Sequence, residues 1–314
     1  MTVALYSRAL SELRKVVVGQ EPVLREALLA LFTGGHVLLE GVPGVAKTLL
    51  VRAMAETFHV PFKRVQFTPD LLPADLIGVN VYRPDTGEFV LRHGPIFTTF
   101  LLADEINRTP PKTQAGLLEA MQERQATIDG VRFPLPPGFM VFATQNPVEQ
   151  EGTYPLPEAQ LDRFLMKIVV PYPTRDAEIE LLQRHADGFD SSQLELAGVN
   201  RVGDEADYLA FRAEAVKVTV RPEINRYLAE LLGASRTHEL VLLGASPRAG
   251  VALLRTAQTV AYLEERAFVV PDDVKEILRP VLRHRLLLKP EAEIEGATPD
   301  QVIAEIADRV PIPR

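Results

Sequence analysis

A short apolar run, Val37-Leu38-Leu39, passes directly into Glu40-Gly41-Val42-Pro43-Gly44-Val45-Ala46-Lys47-Thr48-Leu49-Leu50, and no other stretch limits the fold as much. It reads as a buried strand, a glycine-bearing turn and the opening of a helix. Gly41 and Gly44 permit backbone angles that a Cβ forbids, so that successive N–H groups converge on one concavity. The helix that opens near Lys47 adds its positive dipole end. Lys47 offers a point charge to outer phosphates, and the Thr48 hydroxyl suits Mg²⁺. The pattern G-x-x-x-x-G-K-[ST] would place glycine at 46, where this chain has Ala46. Taken alone, the stretch fits either a phosphate cradle or a plain strand–turn–helix, and the remainder of the chain has to decide.

Composition narrows the class. The 314 residues suffice for two packed domains or one large one. There is no cysteine, so disulfides, thiolate metal sites and a cysteine nucleophile are excluded. No apolar run is long enough to span a bilayer, and Met1-Thr2-Val3-Ala4-Leu5-Tyr6-Ser7-Arg8 lacks the features of a signal peptide. The expectation is a cytoplasmic protein with no membrane insertion. A net charge of −8 argues against broad nucleic-acid binding.

Alternating patterns organise the first half. Helices are expected from Leu5 to Val17 and after Pro22, the latter ending at Gly34-Gly35. The helix after the phosphate loop runs to Phe58, and Phe62 to Gln66 is a strand. Such βαβ units imply a parallel sheet covered on both faces. An insertion follows, with β-like runs Val79 to Tyr82 and Phe89 to Arg92 around a turn containing Pro84, Asp85 and Gly87. Ile96 to Asp104 reads as a core strand and Thr109-Pro110-Pro111 as a helix start. Asp129-Gly130 marks a second hairpin over Ala126 to Phe133. Phe139 to Thr144 and Met166 to Val170 complete the strands. From Pro171-Tyr172-Pro173-Thr174 onward the pattern is of helices only. This places the boundary between an α/β core, residues 1–173, and a helical lid, residues 174–314.

The chemistry collects at strand ends, where parallel α/β sheets bind ligands. Thr99 to Glu105 is an apolar strand ending in two adjacent carboxylates. With an upstream phosphate loop, Asp104 suits the Mg²⁺ shell and Glu105 suits polarising an attacking water. The next strand ends in Ala143-Thr144-Gln145-Asn146-Pro147. Asn146 there either orients that water beside the γ-phosphate or merely forms a turn before proline. Arg163, in Leu161-Asp162-Arg163-Phe164, is poorly placed for its own subunit's phosphate. It either pairs with Asp162 or serves a neighbour's nucleotide. Arg248, in the first turn of a helix after Gly244-Ala245-Ser246-Pro247, runs against the helix dipole, which suits either an anionic partner or simple solvation.

In this order, these motifs resemble an AAA+ ATPase. Finer features are similar to the MoxR group: Val18-Gly19-Gln20, Glu40 through Thr48, Asp104-Glu105-Ile106-Asn107-Arg108, Ala143 through Pro147, Pro157 through Phe164, Gly244 through Arg248, and Val281-Leu282-Arg283-His284-Arg285. The resemblance extends over nearly the whole chain, and Ala-Lys-Thr is how this group writes its loop. It implies ATP and Mg²⁺ as cofactors. The loop from Gly41, Val42, Pro43, Gly44, Val45 and Ala46 to Lys47, Thr48 and Leu49 would be the Walker A cradle, with Asp104 and Glu105 as Walker B. Asn146 would be the first sensor, Arg163 an arginine finger acting in a neighbouring subunit, and Arg248 the second sensor, through which hydrolysis moves the lid. Val18 and Gly19 would lie near the adenine, and Arg108 would face a subunit interface. Both hairpins fit family insertions, one within the second core helix and one before the first sensor. The resemblance further implies a homo-oligomer, most simply a hexameric ring. Its role would be that of a chaperone remodelling partner complexes, often with a von Willebrand A-domain protein, for maturation or for metal or cofactor insertion. The rival readings are an AAA+ motor of the helicase or metal-chelatase type and a non-hydrolysing nucleotide switch. Acidic residues at the hairpin turns, Asp85, Glu88 and Asp129, disfavour a strand-tracking motor.

Overall fold

The computed structural model describes residues 2–147, 152–190, 194 and 198–313. Helices α1 (Thr2–Arg14) and α2 (Glu21–Thr33) precede β1 (Val37–Glu40), α3 (Lys47–Thr57) and β2 (Phe62–Gln66). A one-turn helix, α4 (Pro73–Ile77), leads into a hairpin of β3 (Gly78–Arg83) and β4 (Glu88–His93). Next come β5 (Phe100–Asp104), α5 (Pro111–Glu123) and a second hairpin of β6 (Gln125–Ile128) and β7 (Val131–Pro134). The core closes with β8 (Met140–Gln145), α6 (Glu158–Leu161) and β9 (Met166–Val169). The remainder is α7 (Arg175–Ala186), α8 (Glu205–Ala215), α9 (Pro222–Thr237), β10 (Val241–Leu243), α10 (Pro247–Leu263), α11 (Pro271–Leu282), β11 (Leu287–Leu288), α12 (Pro290–Ile294) and α13 (Pro299–Arg309).

The central sheet has the order β2-β5-β8-β1-β9 and is parallel throughout. Side chains alternate faces along a strand, and the sequence uses both faces for packing. Val37 and Leu39 of β1, Phe100 and Leu102 of β5 and Phe142 of β8 pack on one side with α1, α2 and α3. Leu38, Leu101, Ala103, Val141 and Ala143 pack on the other side with α5. Continuous apolar strands and helices on both faces are therefore one fact seen twice. All strand C-termini lie at one edge of the sheet, which fixes where β1, β5 and β8 deliver their following loops.

Two expectations needed correction. The second half of the chain is not helical alone, because β10 and β11 form an antiparallel ribbon pairing Val241 with Leu288. Their pairing is non-local, so a local apolar period cannot reveal it. The strand expected from Ile96 begins only at Phe100. The intervening residues turn aside, Ile96 N donating to Leu76 O at 3.2 Å and Thr98 Oγ1 to Pro61 O at 3.0 Å.

The first hairpin projects a surface of apolar residues. Val79, Val81, Tyr82, Phe89 and Val90 are all exposed, and the Tyr82 and Phe89 rings lie 5.3 Å apart. It touches the second hairpin where Asn80 Nδ2 donates to Asp129 Oδ2 at 2.6 Å.

The helical part shares its core with the sheet. Phe32 of α2 meets Phe211 of α8 at 4.5 Å, and Phe58 meets Tyr208 edge-on at 5.6 Å. Arg212 Nε donates to Leu31 O at 2.9 Å, and Thr33 and Thr259 hydroxyls are 3.1 Å apart. Apolar residues of α1, α2 and α3 and of α8 through α11 and α13 belong to one continuous cluster. Among the described residues no helix is long and apolar enough to cross a membrane.

Candidate active site

The turn after β1 is shaped at Gly41 by a contact that leaves no room for a side chain. A Cβ on Gly41 would stand 2.5 Å from Val170 O, so the chain leaving β1 lies against the end of β9. Gly44 (φ 85°) and Ala46 (φ 62°) both adopt the left-handed region. Ala46 immediately precedes α3, at the position where the phosphate-loop pattern carries glycine. A left-handed alanine costs roughly 1–2 kcal/mol, whereas glycine also loses more entropy on folding. Ala46→Gly should therefore leave stability unchanged or raise it by up to about 1 kcal/mol in denaturant unfolding. A clear loss of stability would show that the Ala46 methyl packs productively.

Beyond this turn the free N–H groups of the first turn of α3 face a cavity of about 570 Å³. Its lining includes Pro43 through Leu49, then Asp104, Glu105 and Asn146, and also Val18. Most of the expected site residues thus meet in one place. Lys47 Nζ donates to Gly41 O and, at 3.0 Å, to Val42 O. Burial lowers the Lys47 pKa, and the charges of Asp104 and Glu105 oppose that shift. Gly41 and Val42 contribute these carbonyls without lining the cavity. Gly19 does not line it either. A Cβ there would stand 2.3 Å from Ala177 Cβ, so Gly19 permits α7 to approach closely.

The two acidic residues sit in a web that sequence reasoning did not find. Thr144, fully buried on β8, donates its hydroxyl to Asp104 Oδ1 at 2.6 Å and accepts Glu105 N–H at 2.8 Å. Arg64 on β2 pairs with Asp104 Oδ2, its Nε at 3.0 Å. Gln66 Nε2 donates to Glu105 Oε2 at 2.7 Å, and Arg108 Nη1 reaches the same oxygen at 3.3 Å. Glu105 itself is left-handed (φ 57°), a conformation that cap and hydrogen bonds must sustain. The register of β2 beside β5 pairs Gln66 with Asp104, and Arg64 lies two residues away on the same face. Three polar residues, Lys63, Arg64 and Gln66, on a strand next to the acidic strand end, were the available signal.

The far end of the cavity is apolar. Val16 and Val18 face Pro173, Leu181, His185 and Phe189, with the His185 and Phe189 rings edge-on at 5.3 Å. Gln20 Nε2 holds Pro171 O at 2.8 Å, and Arg184 donates to Lys15 O, so α7 is tied over this end. An apolar slot beside a cationic cradle suits a flat base attached to phosphates.

Arg163 and Arg248 are elsewhere. Neither lines the cavity. Arg163 precedes β9 and lies at the N-terminal edge of the sheet, one strand length (roughly 13 Å for four residues) from the edge that carries the cradle. It does not pair with Asp162. That carboxylate binds Arg285 Nε at 2.8 Å and accepts Ser246 Oγ–H at 2.9 Å. Among the described residues the Arg163 guanidinium has no ion-pair partner, and its Nε is buried without a hydrogen bond. Ser246 caps α10, so Arg248 is exposed two residues from the Ser246–Asp162 bond and is held on the same side as Arg163.

A parallel sheet with a phosphate cradle after β1 and paired carboxylates after β5 defines a phosphate-loop nucleotide-binding core. Comparison with known proteins specifies it further. Residues 36–166 match the family described as ATPase family associated with various cellular activities (AAA), and residues 233–306 match the AAA lid domain. The chain is 45% identical over 309 residues to the uncharacterised Bacillus subtilis protein YeaC, covering 98% of this chain and 95% of that one. It is 43% identical over 311 residues to chaperone MoxR1 of Mycobacterium tuberculosis, covering 98% of this chain and 82% of the relative. A crystal structure of a candidate ATPase from Cytophaga hutchinsonii superposes with a TM-score of 0.90 at 43% identity, covering 100% of this chain and 97% of that one. The chain belongs to the MoxR family of AAA+ ATPases.

Proposed function

We propose that this protein hydrolyses ATP with Mg²⁺ in a ring of identical subunits, most simply a hexamer, and uses the cycle to remodel partner protein complexes. The observation that carries this reading is a division of labour. Lys47, Thr48, Asp104, Glu105 and Asn146 gather at one edge of the sheet, while Arg163, without an ion-pair partner among the described residues, and the exposed Arg248 do not line that cavity, their segments joined by the Ser246–Asp162 bond. Phosphoryl transfer needs charge neutralisation and positioning more than covalent chemistry. A subunit whose arginines stand away from its own cradle is complete only beside a neighbour. Arg248 then serves a neighbouring nucleotide together with Arg163.

The donor set fits the cofactor. Thr48 and Asp104 offer hard oxygen ligands, directly or through water, as Mg²⁺ prefers. The ion would supply charge neutralisation at the outer phosphates. Lys47 leaves the loop carbonyls for those phosphates, and Arg64 yields Asp104. Glu105, released from Gln66, polarises water that Asn146 orients.

Chaperone MoxR1 supports the remodelling role by similarity. A von Willebrand A-domain protein as partner, and metal or cofactor insertion as the outcome, complete this proposal, and a cytoplasmic location suits it. Purified protein with Mg²⁺-ATP should release phosphate at a rate per subunit that rises with concentration as rings assemble, and light scattering should report the assembled mass. Binding of ATP without phosphate release at any concentration would replace this reading with a nucleotide-switched binding module.

A further inference from the structure

Arg285 is one of the most buried charges in the molecule, its side chain 3% exposed. It lies three residues beyond α11, in the helical part. A guanidinium carries five N–H donors in a fixed fork. All five are used here: Nε binds Asp162 Oδ1, Nη1 binds Leu165 O and Val281 O, and Nη2 binds Asp162 O and Phe164 O. Four of these acceptors belong to residues 162, 164 and 165, the immediate neighbours of Arg163 in the chain. The adjacent lid residues grip the same segment. His284 Nε2 meets Phe164 O at 3.0 Å, and Arg283 Nη1 meets Lys167 O at 3.4 Å.

A buried arginine carries a desolvation cost that apolar residues of similar volume, joining the same two elements, do not. What the guanidinium adds is a planar fork that fixes the direction of a loop. Arg163 sits at the centre of the gripped segment, its Nε buried and without a hydrogen-bond partner among the described residues.

We infer that Arg285, with His284, is a positioning residue for Arg163, so that the lid of a subunit sets the aim of the arginine that the subunit lends to its neighbour. This rests on the trans role of Arg163 proposed above. The lid acts outward, on the next active site, by holding carbonyls around residue 163. A shift of α11 against the sheet is thereby passed to Arg163 through the carbonyls that Arg285 and His284 hold.

The test compares Arg285→Met, which keeps volume and removes the fork, with the unchanged protein. Turnover should fall about 10²-fold, as for a misplacement of about 1 Å at a reacting group, with KM for ATP unchanged. In an Arg163→Lys background, where residual turnover stays measurable, adding Arg285→Met should cost less than about threefold, because coupled residues are not additive. Asp162→Asn, which removes the carboxylate charge opposite Arg285 while keeping the shape, should show the same kcat loss and the same non-additivity on a smaller scale. It carries the test if Arg285→Met does not fold. A folded Arg285→Met with normal kcat overturns the inference. So does an equal loss in both backgrounds, which would mark a role independent of Arg163. Normal turnover by Arg163→Ala alone would instead remove the parent reading.

Discussion

Arg163→Ala should slow ATP turnover by about three to five orders of magnitude, the range in which arginine fingers act. The affinity for ATP should stay unchanged, because Arg163 does not line the cavity of its own subunit. The expected size of the effect follows from the transition state, whose charge spreads over three oxygens and is neutralised by whatever cation arrives from the neighbour. Removing the side chain also removes a buried Nε that has no hydrogen-bond partner among the described residues, so folding stability should not suffer. Steady-state phosphate release, together with binding of a fluorescent ATP analogue, measures both quantities. Wild-type turnover would sink the assignment; a parallel loss of binding would point to a role in the protein's own cradle.

The second large effect concerns Glu105. Glu105→Gln should lower hydrolysis by about 10²–10⁴-fold, the usual contribution of a positioned base. The glutamine carbonyl can still accept from Gln66 and Arg108, so the arrangement of these side chains is preserved and the loss isolates the chemistry. ATP should stay bound and hold whatever assembly it favours. A tagged Glu105→Gln protein, incubated with ATP in native lysate, then serves as a trap. Recovery of a von Willebrand A-domain protein together with a larger complex supports the remodelling role. Nucleic acid that survives moderate salt would instead favour a strand-tracking motor. Undiminished hydrolysis by the variant would remove Glu105 from the mechanism.

How much of this was legible in the sequence depends on how each residue is reached. The phosphate loop and the acidic strand end are contiguous, and their chemistry is written in consecutive letters. The core strands and both hairpins announce themselves because apolar runs and Asp129-Gly130 are local signals. Arg64, Gln66 and Thr144 escaped attention because their partners stand on neighbouring strands, and register is set by the whole sheet. The apolar wall from α7 was hidden by its place after Pro171, where the composition changes and a boundary seemed natural. Arg248 was legible as a second-sensor position, but the bond from Ser246 to Asp162, which ties the start of its helix to the segment before β9, joins residues far apart in the chain. Arg285 stood in a recognised motif, yet a run of Arg-His-Arg says nothing of the carbonyls it will meet.

The continuous apolar cluster running from the sheet through α2 into α8 and α10 bears on how the molecule comes apart. A boundary drawn near Thr174 divides patterns of sequence, while this apolar cluster runs across it. Phe32 and Leu31 belong as much to one half as to the other. Deleting the second half would leave α2 with a bare greasy flank, a surface that invites association of unfolded chains. Melting should therefore proceed as a single all-or-none event, in which neither half outlives the other.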